Sequence, residues 1–237
     1  MLQWITKDAA IARNRTQRAE GATATDFIGQ RGVVSNDPLA FLVFNQPNFI
    51  TPPHLHDVNQ FQLFVQGTAK MGTHTIAPGA LHYAEHGTPY GPIVAGDEGL
   101  SYFTVRPTSP GRYFEMPGAM PLMNRKTGRT FVSDAVIALP ERTAMRELFQ
   151  TPDGLSAFET RATPDAQLPL PEIDHGGAFI IVMAGDVRFD SKVCPEGACF
   201  SMDRGDELPR LISGPNGAAA IFMSFPRTST PATPNKE

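Results

Sequence analysis

Five of the six histidines of this 237-residue chain fall between residues 52 and 92, in PPHLHDVNQFQLFVQGTAKMGTHTIAPGALHYAEHGTPYGP. The first two, His54 and His56, are one residue apart. On an extended segment, residues two apart point to the same side, so both imidazoles face one way and can share one cation. The alternation continues: His54, His56, Gln60, Gln62 and Phe64 fall on one face, and Leu55, Phe61, Leu63 and Val65 on the other. The chemistry of the polar face is metal binding, because two histidines have little structural reason to stand on an otherwise apolar strand. Gln60 either gives its amide oxygen to the metal or hydrogen-bonds a bound water or substrate. His82 is the next ligand candidate, its alternative role being that of a satisfied core histidine. Tyr90, Gln62 and His86 are expected to donate hydrogen bonds or move a proton, and Phe64 to touch substrate. His74 is expected in a solvated turn.

Strands must carry these residues. Twenty-one glycines and 22 prolines are spread between short apolar runs, which predicts many brief strands and tight turns, an all-β protein. Residues 1–35 are polar and mixed and read as an N-terminal arm that tolerates a short helix. LAFLVF after Pro38 is a buried strand. Beyond the histidines, a turn at Gly96-Asp97-Glu98-Gly99 leads into LSYFTVR, on which Tyr102, Thr104 and Arg106 share a face. Arg106 is either an anion anchor facing inward or a solvated strand end before Pro107. Residues 121–150 read as a linker in which PERTAMRELF forms a short amphipathic helix with Met145, Leu148 and Phe149 on one side.

From about Leu155 the pattern repeats. AFIIVMAGDVRF overlays QFQLFVQGTAKM, with Gly185 on Gly67, and Arg204-Gly205-Asp206 overlays Pro78-Gly79-Ala80. Opposite His54, His56 and Gln60 the overlay puts Glu172, Asp174 and Ala178, and opposite His82 and Tyr90 it puts Leu208 and Asn216. The second half has lost the site. The expected organisation is an arm at 1–35, a metal-binding barrel at 36–120, a linker at 121–150, a degenerate barrel at 151–228 and a polar tail at 229–237.

The spacing resembles the cupin superfamily. Its first motif reads His-x-His, three or four residues, Glu, six residues, Gly; His54, His56, Gln60 and Gly67 match it, with Gln in place of Glu and Asn48 at the leading Gly. Its second motif begins at Gly79 and passes Gly87, but Glu85 stands at its Pro and Tyr90 at its closing His. His82 occupies a place that supplies a ligand in some cupins, the ectoine synthases among them. The resemblance implies two jelly-roll barrels in one chain, the second degenerate, and assembly as a homodimer through the sheets. It also implies a divalent metal: neutral imidazoles favour Fe(II), with Mn, Ni or Zn as alternatives.

A net charge of -4 and the lack of a basic run speak against a nucleic-acid partner. No apolar run is long enough to span a membrane, and MLQWITKDAA lacks the charged start and apolar core of a secretion signal, so a soluble, cytoplasmic protein is expected. Cys194 and Cys199 have no zinc-site spacing; they read as two thiols flanking the turn at Pro195-Glu196-Gly197, a local disulfide being the alternative. Neutral ligands leave a metal near its full charge, which favours an oxyanion substrate. The expected function is that of a metal-dependent dioxygenase or related enzyme acting on a small anionic organic molecule. The alternative is a non-catalytic cupin that binds or senses a small ligand, since one barrel hosts many functions.

Overall fold

The computed structural model describes residues 1–14 and 16–228, and the expected tail at 229–237 lies outside the described residues. The described chain forms two compact units, one of residues 16–133 and the other of residues 1–14 and 134–228. In the first, seven strands lie side by side in the order Thr130–Asp134, Ala80–Ala84, Gln60–Met71, Ile93–Arg106, Leu39–Asn45, Ala22–Ile28 and Thr16–Ala19. Ile50–Thr51 and His74–Ile76 pair alongside this sheet, and His54–His56 pairs separately with Tyr113–Glu115. The second unit repeats the order with Gln3–Ile5, Cys199–Met202, Ala178–Phe189, Ile212–Ser224, Ser156–Ala162 and Ala144–Gln150. Residues 60–64 are all buried, so both faces of that strand are packed and the apolar partners of the alternation are not turned to water.

The internal repeat is visible in backbone chemistry. Gln60–Met71 and Ala178–Phe189 are both 12 residues long, and Gly67 and Gly185 occupy the same place in them with φ of 75° and 69°. A Cβ at either would collide with a carbonyl oxygen, that of Gly99 or of Gly217, so only glycine lets the neighbouring strand approach. The Gly79 N–H donates to the Phe64 carbonyl at 2.9 Å, and the Gly197 N–H donates to the Val182 carbonyl at 2.8 Å. These bonds correct the overlay: Glu196-Gly197-Ala198 is the counterpart of Pro78-Gly79-Ala80, and Arg204-Gly205-Asp206 is not. His82 and Tyr90 therefore correspond to Phe200 and Leu208. Gly205 misleads because it too sits in a turn at positive φ.

In this register the two interiors differ in kind. His82, Gln62 and Thr104 stand side by side on adjacent strands of the first unit. Phe200, Ile180 and Phe222 take those places in the second, inside a buried cluster with Phe158, Val182 and Ala220. Glu172 and Asp174, opposite the paired histidines, are exposed. An ion in that apolar interior would be costly, since aromatic and aliphatic side chains stand where the first unit has His82 and Gln62.

Three local expectations are overturned. Residues 140–149 form no helix: Ala144–Gln150 is a strand paired with Ser156–Ala162, and Arg146 meets buried Glu159 across the pair at 2.6 Å. The spacing of Met145, Leu148 and Phe149 suits a helix face, but the open backbone groups of the sheet edge win. Residues 1–35 are not an arm. Gln3–Ile5 pairs with Cys199–Met202, Lys7–Arg13 is a helix capped by Thr6, and Thr16–Ala19 with Ala22–Ile28 extends the first sheet. The glycine turn at 96–99 is an irregularity inside one long strand, where the register against Gln60–Met71 shifts between Ala95 and Leu100. Cys194 and Cys199 are free and buried. Among the described residues no helix is long and apolar enough to cross a membrane.

Candidate functional site

The approach to the histidines turns at Asn48, whose φ of 60° is a left-handed conformation that glycine and asparagine tolerate best. The chain then extends through His54, Leu55 and His56, all buried. Gly87, at φ 69°, returns it so that Tyr90 runs beside His54, the two backbones exchanging bonds of 3.1 and 3.0 Å.

The side chains form one connected network. His54 Nδ1–H donates to the Pro52 carbonyl at 2.7 Å, and His56 Nδ1–H donates to the Arg112 carbonyl at 2.8 Å. Each imidazole is thereby fixed in the tautomer whose Nε2 carries the lone pair, the arrangement that backbone carbonyls impose on metal-ligating histidines. The Tyr90 hydroxyl donates to His54 Nε2 at 2.8 Å and accepts from the Gln60 amide. Arg106 reaches Gln60 Oε1 from Nε at 3.1 Å and from Nη2 at 2.9 Å, and its Nη2 lies 3.4 Å from His56 Nε2. The remaining Arg106 donors go to the carbonyls of Pro110 and of Gly111, the latter at 2.8 Å. Arg106 thus faces inward as the first of its two expected roles requires, 5% exposed, with Phe41 under its guanidinium at 5.4 Å. No carboxylate touches it among the bonds described.

Burial sets the protonation states. It lowers His54 to about 4 and His82 to about 3, and holds His56 well below its ordinary value with the charge of Arg106 adding to the effect. Burial likewise raises the Tyr90 phenol, which stays protonated, and lowers Arg106 to about 10, still a cation at neutral pH. Because the unfolded histidines titrate near 6.5, the stability these neutral imidazoles confer is fully present above that pH. It drains away as pH falls from 6.5 toward 4, where the unfolded chain binds protons the folded one refuses. Urea midpoints of the metal-free protein at pH 7, 5.5 and 4.5 should fall steeply for the transition that exposes the first unit; a flat profile contradicts neutral burial.

The expected ligands are not all brought to one point. Gln60 has its oxygen turned to Arg106 and its nitrogen to Tyr90. His82 Nδ1–H donates to Gln62 at 2.9 Å and its Nε2 faces the Thr130 hydroxyl at 3.2 Å, so both nitrogens are engaged with the chain. Glu85 holds the Thr130 strand in place through Arg129, 2.8 Å away. Among the described residues no three of His, Cys, Asp and Glu are grouped to hold a metal. What a divalent ion would meet here is the pair of Nε2 atoms of His54 and His56, which face the Tyr90 hydroxyl and the Arg106 guanidinium. Such a site contains no anionic donor and has a guanidinium next to it.

Phe64 is fully buried in the apolar cluster against which Tyr90 packs, next to Tyr102 at 5.2 Å. His86 is tied to Asn59 by backbone and ring, and His74 is exposed at the start of a short strand. Sequence reasoning missed Tyr113, which stacks on His54 with ring centroids 4.4 Å apart, and Asp57, which grips Arg112 at 2.6 Å. The alternation of histidines carries no signal for a partner more than fifty residues on.

No family model matches the sequence, and no curated protein matches it. Solved structures do. A candidate dioxygenase of Nostoc punctiforme aligns over 99% of this chain and 87% of its own at 12% identity, with a TM-score of 0.71. The pirin YhhW of Escherichia coli, solved in complex with nickel(II), aligns over 96% of this chain and all of its own at 10% identity, with a TM-score of 0.65. Oxalate decarboxylase of Bacillus subtilis aligns over 96% of this chain and 78% of its own at 12% identity, with a TM-score of 0.61. At such identities the likeness is one of fold, and it extends over both units. By fold the chain is built of two like all-β units, an architecture it shares with these structures.

Proposed function

We propose that the first unit binds one divalent metal through His54 and His56, with Tyr90 as an oxygen donor, and acts as a metal-dependent enzyme on a small anionic organic molecule. The observation that carries this reading is the pair of backbone-fixed neutral imidazoles beside a buried cation that, among the described residues, no carboxylate contacts. A bound metal would supply Lewis acidity and, as Fe(II), oxygen chemistry of the dioxygenase kind. The chain's own residues explain the choice of substrate. Arg106 and a dication together attract an anion strongly, since two unit charges about 4 Å apart interact by roughly 4 kcal/mol at an effective dielectric near 20. Gln60 holds the guanidinium in position, and the Tyr90 hydroxyl, kept protonated by burial, would give a bound anion the hydrogen bond it now gives to His54 Nε2. The nickel complex of the pirin and the oxalate named for the decarboxylase support the same pairing of metal with small anion.

An oxygen electrode tests the enzymatic half: Fe(II)-loaded protein offered diketones, catechols and hydroxy acids should consume oxygen with at least one class, and uptake with none favours a binding protein. Gln60→Glu tests the charge argument. The new carboxylate should tighten metal binding at least about tenfold, part of its attraction being lost to desolvation and to pairing with Arg106. The same pairing should weaken a bound carboxylate. Anion affinity that rises together with metal affinity contradicts the proposal.

A further inference from the structure

Residues 110–115 pass directly over the site and are wired into it. The carbonyls of Pro110 and Gly111 accept from Arg106, that of Arg112 accepts from His56, and Met116 N–H donates to the Pro53 carbonyl at 2.9 Å. On the outside, Arg112 is held by both oxygens of Asp57, from its backbone N–H at 2.8 Å and its Nε at 2.6 Å. A Cβ at Gly111 would press on Val58 and on the guanidinium itself, so the backbone here packs as close as it can. The tethers of Pro110, Gly111, Arg112 and Met116 all end on a group of the site or of the segment that carries the histidines.

Tyr113 is built differently from the strap that bears it. Its ring lies nearly parallel to that of His54, at 25° and 4.4 Å, and edge-on to His56 at 5.8 Å, while the residue is 40% exposed. No side-chain hydrogen bond of Tyr113 appears among those described, and the charged groups that act on its hydroxyl are Glu115 and Arg18. Moving the strap breaks bonds to Arg106, His56, Asp57 and Pro53 together; turning the Tyr113 side chain breaks only its ring contacts with His54 and His56. The less costly motion decides which part moves. His54 is 3% exposed and His56 8%, so a molecule that is to touch them from this side must first displace the ring that covers them.

We propose that Tyr113 is the gating and specificity residue of the site: its ring closes His54 against solvent, swings out on a fixed strap to admit a ligand, and favours flat ligands that can take its place against the imidazole. This rests on the reading that the site admits a small molecule, and it is tested separately from metal binding. The metal-free protein is treated with diethyl pyrocarbonate, which acylates an accessible unprotonated imidazole nitrogen, and each histidine is followed by peptide mass spectrometry. Tyr113→Ala should speed labelling of His54 about two- to twelvefold, the factor that an aromatic pair's own stabilisation represents. Tyr113→Phe should label at the parental rate and Tyr113→Trp more slowly. Exposed His74 should label alike in every variant, and His82, 1% exposed, should resist in each. Labelling of His54 that Tyr113→Ala leaves unchanged, or that Tyr113→Phe raises as much as Tyr113→Ala does, overturns the proposal. If Tyr113→Ala exposes His82 by unfolding, Tyr113→Trp decides: parental or faster labelling of His54 rejects the gate. Nickel content after dialysis is read on unlabelled portions of the same variants. A chain that takes no nickel yet shows the expected labelling loses the metal reading and keeps the gate.

Discussion

His56→Ala is expected to lower the affinity for a divalent metal by at least about a hundredfold while leaving a folded first unit, because a site with only two imidazoles cannot lose one and remain a site. The neighbours explain why the fold survives. His56 is held by the Arg112 carbonyl and faced by Arg106; Arg106 keeps Gln60 and Gly111 as partners, and the Arg112 carbonyl can accept from a water in the space the ring leaves. Removing the ring leaves polar groups that can still be satisfied around a small void. His54→Ala should act on metal in the same direction, and it also frees the Tyr90 hydroxyl. His82→Ala should be milder toward metal, because that ring bonds Gln62 and Thr130, whereas His54 and His56 are fixed by backbone carbonyls with Nε2 toward Tyr90 and Arg106. Competition with a chelating dye measures all three; equal losses for His82→Ala and His56→Ala would return His82 to the ligand set.

Phe222→Ala should destabilise the second unit by about 3–5 kcal/mol, the range for removing a buried aromatic ring from a packed core. Phe222 is wholly buried among Phe158, Ile180 and Phe200, in the row whose counterpart in the first unit is polar. Metal affinity should be unchanged at temperatures where the variant is folded. Chemical denaturation followed by Trp4, which stacks on Phe200 at 6.1 Å, reports on this unit directly. A loss below about 1 kcal/mol would mean that the second interior is loosely filled, and its description as an apolar scaffold would fail.

Much of this was legible in the residues. The His-x-His spacing, Gly67 with Gly185 and the alternation around them fix two like strands, and the all-β architecture follows from the density of turn residues. The register of the second half beyond Gly185 was not legible, because several glycines at positive φ compete and only inter-strand hydrogen bonds choose between them. Nor was the strand at Ala144–Gln150, whose apolar spacing satisfies a helix until a sheet edge is present. At the site, period-two alternation assigned sides correctly for His54, His56, Gln60 and Gln62. It gave no means of knowing that Arg106 would hold the Gln60 oxygen, or that Phe64 would pack behind Tyr90 in the apolar cluster. Tyr113 escaped for a similar reason: its strand pairs only with His54–His56, and that three-residue pairing leaves no trace in local pattern.

The central claim is one metal per chain, held by the first unit alone. Protein dialysed against nickel(II) and then against metal-free buffer, analysed for metal per mole of chain beside the His54→Ala, His56→Ala double variant, tests it most directly. The account predicts one equivalent in the parent and none in the double variant. Two equivalents in the parent, none at all, or one that survives in the double variant would contradict it.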